Sequence, residues 1–346
     1  MTVAGLPLAR RIALAAKRAG FEGIGAAPGA GAAPVLQRIV ALAPHVVPQV
    51  AWLRALLVLP LEPETLYVAG GDVAVIETTH PARVLDAVAR CRGAEDLMGA
   101  LNGAVAVVRH PLEPSGRFPL GSPADVPAAE AWLLRSLVKS NEGFMSRHVE
   151  RRISLAVTQR LATTGVTPNA MTLVSIGIGL LGALFFLSSI ATFQVIGALL
   201  FLAHSILDGC DGEIARLKFL ESRGGAVLDF WGDNLVHVSV WACLAVGWAL
   251  ESGSAWPLVL GGIAVVSTVA TATAEASRFI DGGGAAESPA GRLTERLSNR
   301  DFIYLILILS AFGKAHWFLV LAAVGTPVFL ALLLLLGGRR RAAPRP

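Results

Sequence analysis

The sequence predicts an all-α membrane protein. It has six transmembrane helices and a juxtamembrane amphipathic helix, preceded by a small soluble α/β domain. Three observations carry this expectation. The chain is 54% hydrophobic with a mean hydropathy of +0.62, too apolar for an ordinary soluble enzyme, and the excess lies after residue 165. Before that point, short apolar runs alternate with helix-periodic segments, as in a layered α/β domain. Within the apolar half, Asp208, Asp211, Asp229 and Asp233 crowd into one short stretch. An ionised Asp at bilayer depth costs roughly 2.5–3.5 kcal/mol on insertion scales, so such residues usually line a functional cavity.

Residues 1–138 form the expected α/β domain. Leu6–Ala19 has the pattern of an amphipathic helix carrying Arg10, Arg11, Lys17 and Arg18, stopped by Gly20. Ala55–Leu59, Asp72–Ile76 and Val105–Val108 read as strands, and Pro81–Arg90 and Ala94–Leu101 as helices. Residues 111–127, rich in Pro, Gly and Ser, read as a linker, and Ala128–Lys139 as a helix leading to the membrane. Residues 139–165 supply the surface helix. Val149, Ile153, Ala156, Val157 and Leu161 recur at helical spacing, with Arg147, Arg151, Arg152 and Arg160 on the remaining positions.

Residues 166–346 hold the six spans. Thr167 suits an N-cap and Pro168 the first helical position. Spans are expected near 168–189, 192–217, 224–250, 254–279, 300–314 and 316–337, the fifth being the shortest. Arg216, Lys218 and Arg223 flank one connection. Arg278, Arg292, Arg296 and Arg300 mark another, and Arg339, Arg340, Arg341 and Arg345 follow the last span. The opposite connections carry little beyond Glu251 and Lys314. The positive-inside rule therefore places both termini, the soluble domain and the Asp cluster on the cytoplasmic side of an inner or plasma membrane. The N-terminus shows no continuous apolar stretch of the kind a signal peptide needs. Arginines gathered at membrane edges argue against a nucleic-acid partner, although the formal charge is +4. Cys91, Cys210 and Cys243 lack metal-ligand spacing and read as reduced thiols.

The Asp spacing says more than the Asp count. Asp208 and Asp211 are i,i+3, with Gly212 and Ala215 continuing the stripe; Gly225, Asp229 and Asp233 form a second stripe at i, i+4, i+8. Two such faces would make a hard, oxygen-rich site suited to Mg²⁺ or Mn²⁺.

The run Asp208-x2-Asp211-Gly212-x2-Ala215-Arg216-x8-Gly225-x3-Asp229-x3-Asp233 resembles the signature of the CDP-alcohol phosphotransferase family at every fixed position. That resemblance implies transfer of a substituted phosphate from a CDP-linked donor to an acceptor hydroxyl, with release of CMP. It implies two Mg²⁺ or Mn²⁺ ions held by Asp208, Asp211, Asp229 and Asp233, and Asp233 as general base. Asp208, Asp211, Gly212, Ala215, Arg216, Gly225 and Asp229 are implied to hold the CDP moiety. Arg278 and Arg339, at cytoplasmic ends of spans, are candidates for an anionic acceptor such as inositol phosphate or glycerophosphate. The donor is expected to be CDP-diacylglycerol or CDP-inositol, and the assembly a homodimer.

The opening Ala4–Arg11, with its Ala-rich helix, resembles sugar-phosphate nucleotidyltransferases. The Gly-rich loop those enzymes carry ahead of this point is missing, so the domain reads as degenerate. Together with the run Arg147–Ser154 ahead of Thr167-Pro168-Asn169, it is most similar to the di-myo-inositol-phosphate-phosphate synthase branch. Two other classes fit less of the pattern. A divalent-cation transporter would use intramembrane carboxylates, but here they cluster near one face. A non-catalytic membrane anchor would not need the full motif.

Overall fold

A computed structural model describes residues 1–23, 36–91, 97–104, 109–113, 115–137, 149–280 and 302–338. The expected strand Val105–Val108 and Arg339 fall outside them. The chain divides into two compact units, Met1–Ser136 and Leu137–Pro346.

The first unit is built from small sheets and short helices. β1 (Thr2–Val3) and β2 (Leu6–Pro7) pair ahead of α1 (Leu8–Ala19), which ends where Gly20 takes a left-handed φ of +112°. Arg11 is not a solvated position of α1. It is 2% exposed and donates through Nε to the Val3 carbonyl at 3.1 Å, and burial pulls its pKa down to about 10. β3 (Gln37–Leu42), β5 (Leu66–Ala69), β6 (Val73–Thr78) and β7 (Arg109–Pro111) form a sheet of order β3-β6-β5-β7. β5 and β7 run parallel; the other pairings are antiparallel. β4 (Val46–Pro48) pairs with β8 (Arg117–Pro119). α3 (Pro81–Ala89) and α4 (Leu97–Ala104) follow the main sheet, and Val84, Leu97 and Leu101 pack on Leu66, Ala74 and Ile76. The expected strand Ala55–Leu59 is a misreading, because it falls largely inside α2 (Val50–Val58). That helix buries Leu53 and Leu56 at i,i+3, a period that a five-residue apolar run cannot reveal. α5 (Val126–Arg135) closes the unit.

The second unit is helical throughout its described residues. α6 (Arg151–Ala162) precedes α7 (Pro168–Phe185), α8 (Ala191–Lys218), α9 (Arg223–Ser252), α10 (Trp256–Ile280), α11 (Phe302–Ala311) and α12 (Ala315–Gly338). Five of these, α7 to α10 and α12, are long and apolar enough to cross a membrane. The expected fifth span shrinks to α11, with ten described residues. At about 1.5 Å per residue that covers roughly half of a hydrocarbon core of about 30 Å. The Thr167 hydroxyl accepts from the Ala170 N–H at 3.3 Å and Pro168 opens α7, as the sequence predicts.

Small residues set how closely these helices approach. A Cβ added to Gly182 would lie 3.0 Å from the Gly197 carbonyl, and one on Gly197 2.8 Å from the Gly182 carbonyl, so α7 and α8 meet backbone to backbone. Gly232 of α9 takes the side chain of Ile176 from α7, 2.1 Å from where its Cβ would stand. α7 thus packs on both α8 and α9, which approach each other far less closely. Phe186, Phe201, Val236, Val240, Ile306 and Leu319 fill the core below this junction.

Candidate active site

The site arises where α8 ends and α9 begins. α8 stops at Phe219, which adopts a left-handed φ of 56°, and the Leu220 N–H returns to the Ala215 carbonyl at 2.8 Å. Three residues later the Ser222 hydroxyl caps α9 by accepting from the Gly225 N–H at 3.0 Å. The connection between Lys218 and Arg223 is short, and side chains reach across between α8 and α9. Asp208, Asp229 and Asp233 thereby meet. Each offers a carboxylate oxygen, and these oxygens all lie within 4.8 Å of one another. Asp208 is 5% exposed, and Asp229 and Asp233 are half-buried.

Three carboxylates this close repel strongly in a medium of reduced dielectric. Asp229 Oδ1 is also buried with no hydrogen-bond partner among the described residues. Both observations fit a divalent cation taking hard oxygen ligands. Asp211, the remaining predicted ligand, is 5% exposed and accepts a hydrogen bond from the Thr172 hydroxyl of α7. It belongs to the same two turns of α8 but is tied to α7 rather than grouped with the other three.

The small residues of the motif have visible neighbours. A Cβ on Gly225 would stand 2.9 Å from Asn169 Oδ1 and 3.0 Å from Ser222 Oγ, so the Asn of Thr167-Pro168-Asn169 occupies that space. A Cβ on Gly212 would stand 3.1 Å from Arg216 Nη1, so the guanidinium folds back over the glycine. Arg216 Nε is buried and has no partner among the described residues, as a donor awaiting an anionic ligand would be. Ala215 is half-buried beside it. Arg278 lies within α10, and Arg339 lies outside the described residues.

His204 is a packed polar residue that also reaches the carboxylate group. It is 2% exposed; its Nδ1 donates to the Ser175 carbonyl at 3.0 Å, since a carbonyl can only accept, and Nε2 stands 3.5 Å from Asp233 Oδ1. His237 Nδ1 likewise donates to the Asp233 carbonyl at 2.8 Å.

The expected surface helix carries a second, polar face. Val149 and Ile153 are exposed, whereas Val157 and Leu161 pack on Met171, Cys210 and Ile214. Its most buried stripe is Glu150, Ser154, Thr158 and Ala162, three of them polar. The reason is Glu213, a motif-embedded residue the sequence reading passed over. Glu213 is 0% exposed and accepts from Arg151 Nη1 at 2.6 Å, Ser154 Oγ at 2.7 Å and Thr158 Oγ1 at 2.6 Å. The available signal was an acid inside an apolar helix together with Ser154 and Thr158 at i,i+4.

The chain is similar to several known proteins. Residues 165–329 match the family model for CDP-alcohol phosphatidyltransferase. Among curated proteins, the chain is 39% identical over 125 residues to the bifunctional IPC transferase and DIPP synthase of Thermococcus kodakarensis, covering 36% of this chain and 28% of that one. It is 32% identical over 219 residues to the protein of the same name from Archaeoglobus fulgidus, covering 61% and 43%. The chain therefore spans less than half the length of these relatives. Among solved structures, the Mycobacterium tuberculosis phosphatidylinositol phosphate synthase with CDP-DAG bound aligns over 53% of this chain and 94% of its own, at 24% identity and a TM-score of 0.38. The match to the CDP-alcohol phosphatidyltransferase family model, residues 165–329, takes in the whole carboxylate cleft between α8 and α9.

Proposed function

We propose that this protein is an integral-membrane CDP-alcohol phosphotransferase. It moves a substituted phosphate from a CDP-linked donor to an acceptor hydroxyl and releases CMP. The single observation that carries the reading is the meeting of Asp208, Asp229 and Asp233 inside the stretch that matches the family model. Asp208, Asp229 and Asp233 would hold Mg²⁺ or Mn²⁺, with Asp211 completing a two-ion set. The metal would supply charge neutralisation for the diphosphate and for the departing CMP. Arg216 binds donor phosphate through its planar guanidinium, and Gly212, Ala215 and Gly225 leave room for the nucleoside. Asp233 takes the acceptor's hydroxyl proton as the new O–P bond forms and the bond to the CMP oxygen breaks. His204 and His237 hold Asp233 from side chain and backbone.

The names of the curated relatives favour inositol phosphate as acceptor, with CDP-inositol or CDP-diacylglycerol as donor. Arg278 and Arg339 are the proposed acceptor contacts. The arginine distribution supports six crossings with the site and both termini cytoplasmic, and the reading includes a homodimer. Purified protein is incubated with Mg²⁺ or Mn²⁺, each CDP-linked donor and a panel of phosphorylated polyols, with products identified by mass. Acceptor-dependent CMP release is expected. Folded protein that releases no CMP from any pairing would overturn the reading.

A further inference from the structure

We infer that Arg151 of the surface helix α6 is a donor-phosphate-binding residue, and that the buried Glu213 is the positioning residue that seats it. The inference rests on the phosphotransferase reading above. Gly209, Gly212, Glu213 and Arg216 recur at i, i+3, i+4 and i+7, so they form one stripe of α8 next to the stripe of Asp208 and Asp211. Two guanidinium groups lie over the two glycines of that stripe. A Cβ on Gly209 would stand 3.4 Å from Arg151 Nη1, and one on Gly212 would stand 3.1 Å from Arg216 Nη1. Gly209 and Gly212 are one turn apart, so both cations adjoin the same short piece of helix. One reaches it from α6 and the other from α8 itself.

Glu213 explains how Arg151 is held there. Its carboxylate is 0% exposed and takes hydrogen bonds from Arg151, Ser154 and Thr158, all of α6. The Cys210 thiol adds a contact to the Ser154 carbonyl at 3.5 Å. A buried ion pair is a poor way to gain stability, because well-packed apolar residues commonly do as well. Four polar groups at the motif turn are better explained by fixing a charge in place. Glu213 pairs with Arg151, while Asp211 and Glu221 also act on Arg216, and both guanidinium groups border a face made of glycine. A diphosphate fits such a face, because its oxygens can approach a helix without side chains while planar N–H forks meet them from both sides.

The test uses the full-length protein, CMP release with Mg²⁺, and thermal unfolding of each variant. Arg151→Met should raise the KM for the CDP-linked donor about tenfold to a hundredfold, the value of losing one charge-assisted hydrogen bond, with a smaller change in kcat. Glu213→Gln should lower the unfolding temperature, since it leaves the half-buried Arg151 without its carboxylate. The double variant Arg151→Met/Glu213→Gln is decisive. Its stability should return towards wild type while the donor KM stays raised. Recovery of both would make the pair purely structural and overturn the inference, as would a folded Arg151→Met with wild-type donor KM. If Arg151→Met does not fold, Arg151→Lys takes its place, with a smaller rise in donor KM expected and an unchanged KM again overturning the claim. A wild-type protein inert towards every CDP-linked donor would instead sink the phosphotransferase reading itself.

Discussion

At the residue scale, the four aspartates do not occupy equivalent places, and their variants should differ accordingly. Asp208 and Asp229 share the carboxylate group with Asp233, while Asp211 is bound to Thr172 of α7. Asp208→Asn and Asp229→Asn each remove a charge from a hard-cation site, so the Mg²⁺ concentration for half-activity should rise. Asp233→Asn should keep measurable donor and metal binding, weakened no more than in Asp229→Asn, but lose turnover by about 10²–10⁴-fold, the usual cost of a missing general base. Donor affinity and CMP release are measured at several Mg²⁺ concentrations; full rescue of Asp233→Asn by metal would make it only another ligand. Gly225→Ala is a test of space. Its new Cβ would meet Asn169 Oδ1 at 2.9 Å, so activity should fall and Asn169→Ala should restore part of it. Coupling of this kind appears in a double-mutant cycle as a non-additive term of about 0.5–3 kcal/mol. If the two changes simply add, Asn169 does not set the space at Gly225.

At the element scale, the packing of α9 on the α7–α8 connection is the least forgiving contact. A Cβ on Gly247 would lie 2.4 Å from the Phe186 carbonyl oxygen and 2.9 Å from that of Leu187, and backbone cannot rotate away. Gly247→Ala should therefore lower the unfolding temperature, at an overpacking cost of about 1–3 kcal/mol, while turnover per folded molecule stays close to wild type. Unchanged unfolding would show that the connection yields. Helix starts and stripes were legible where local chemistry dictates them: Thr167 caps α7 as expected, and Asp208 of α8 meets Asp229 and Asp233 of α9, although Asp211 bonds to α7. What escaped was whatever depends on a distant partner. The run Ala55–Leu59 had no period long enough to separate strand from helix, and it belongs to α2. The polar stripe of α6 made sense only once Glu213, more than fifty residues away, was seen to need three donors. The same holds for Thr172 with Asp211 and Asn169 with Gly225.

At the scale of the whole molecule, a site built between two helices links metal binding to global stability. A cation that binds the folded chain alone raises stability by about 2.7 kcal/mol at a hundred times its dissociation constant. Mg²⁺ or Mn²⁺ should therefore raise the unfolding temperature of the wild type, and Asp229→Asn should abolish most of that shift. An equal shift in both proteins would place the stabilising cation elsewhere.

The position of α7 between α8 and α9 has a consequence for ion choice. Asp208 stands on one of the helices that α7 holds apart, and Asp229 and Asp233 stand on the other. The gap across which they would share an ion is therefore gauged by the packing at Gly182, Gly197, Ile176 and Gly232. Mg²⁺ holds its ligands at about 2.0–2.1 Å and Ca²⁺ at about 2.3–2.6 Å, a difference of a few tenths of an ångström. Packing changes on that scale are what one methyl group at a glycine seam produces. Discrimination by ionic radius would thus be set from the rear of the cleft, and a lineage could retune its preferred metal without altering a single ligand.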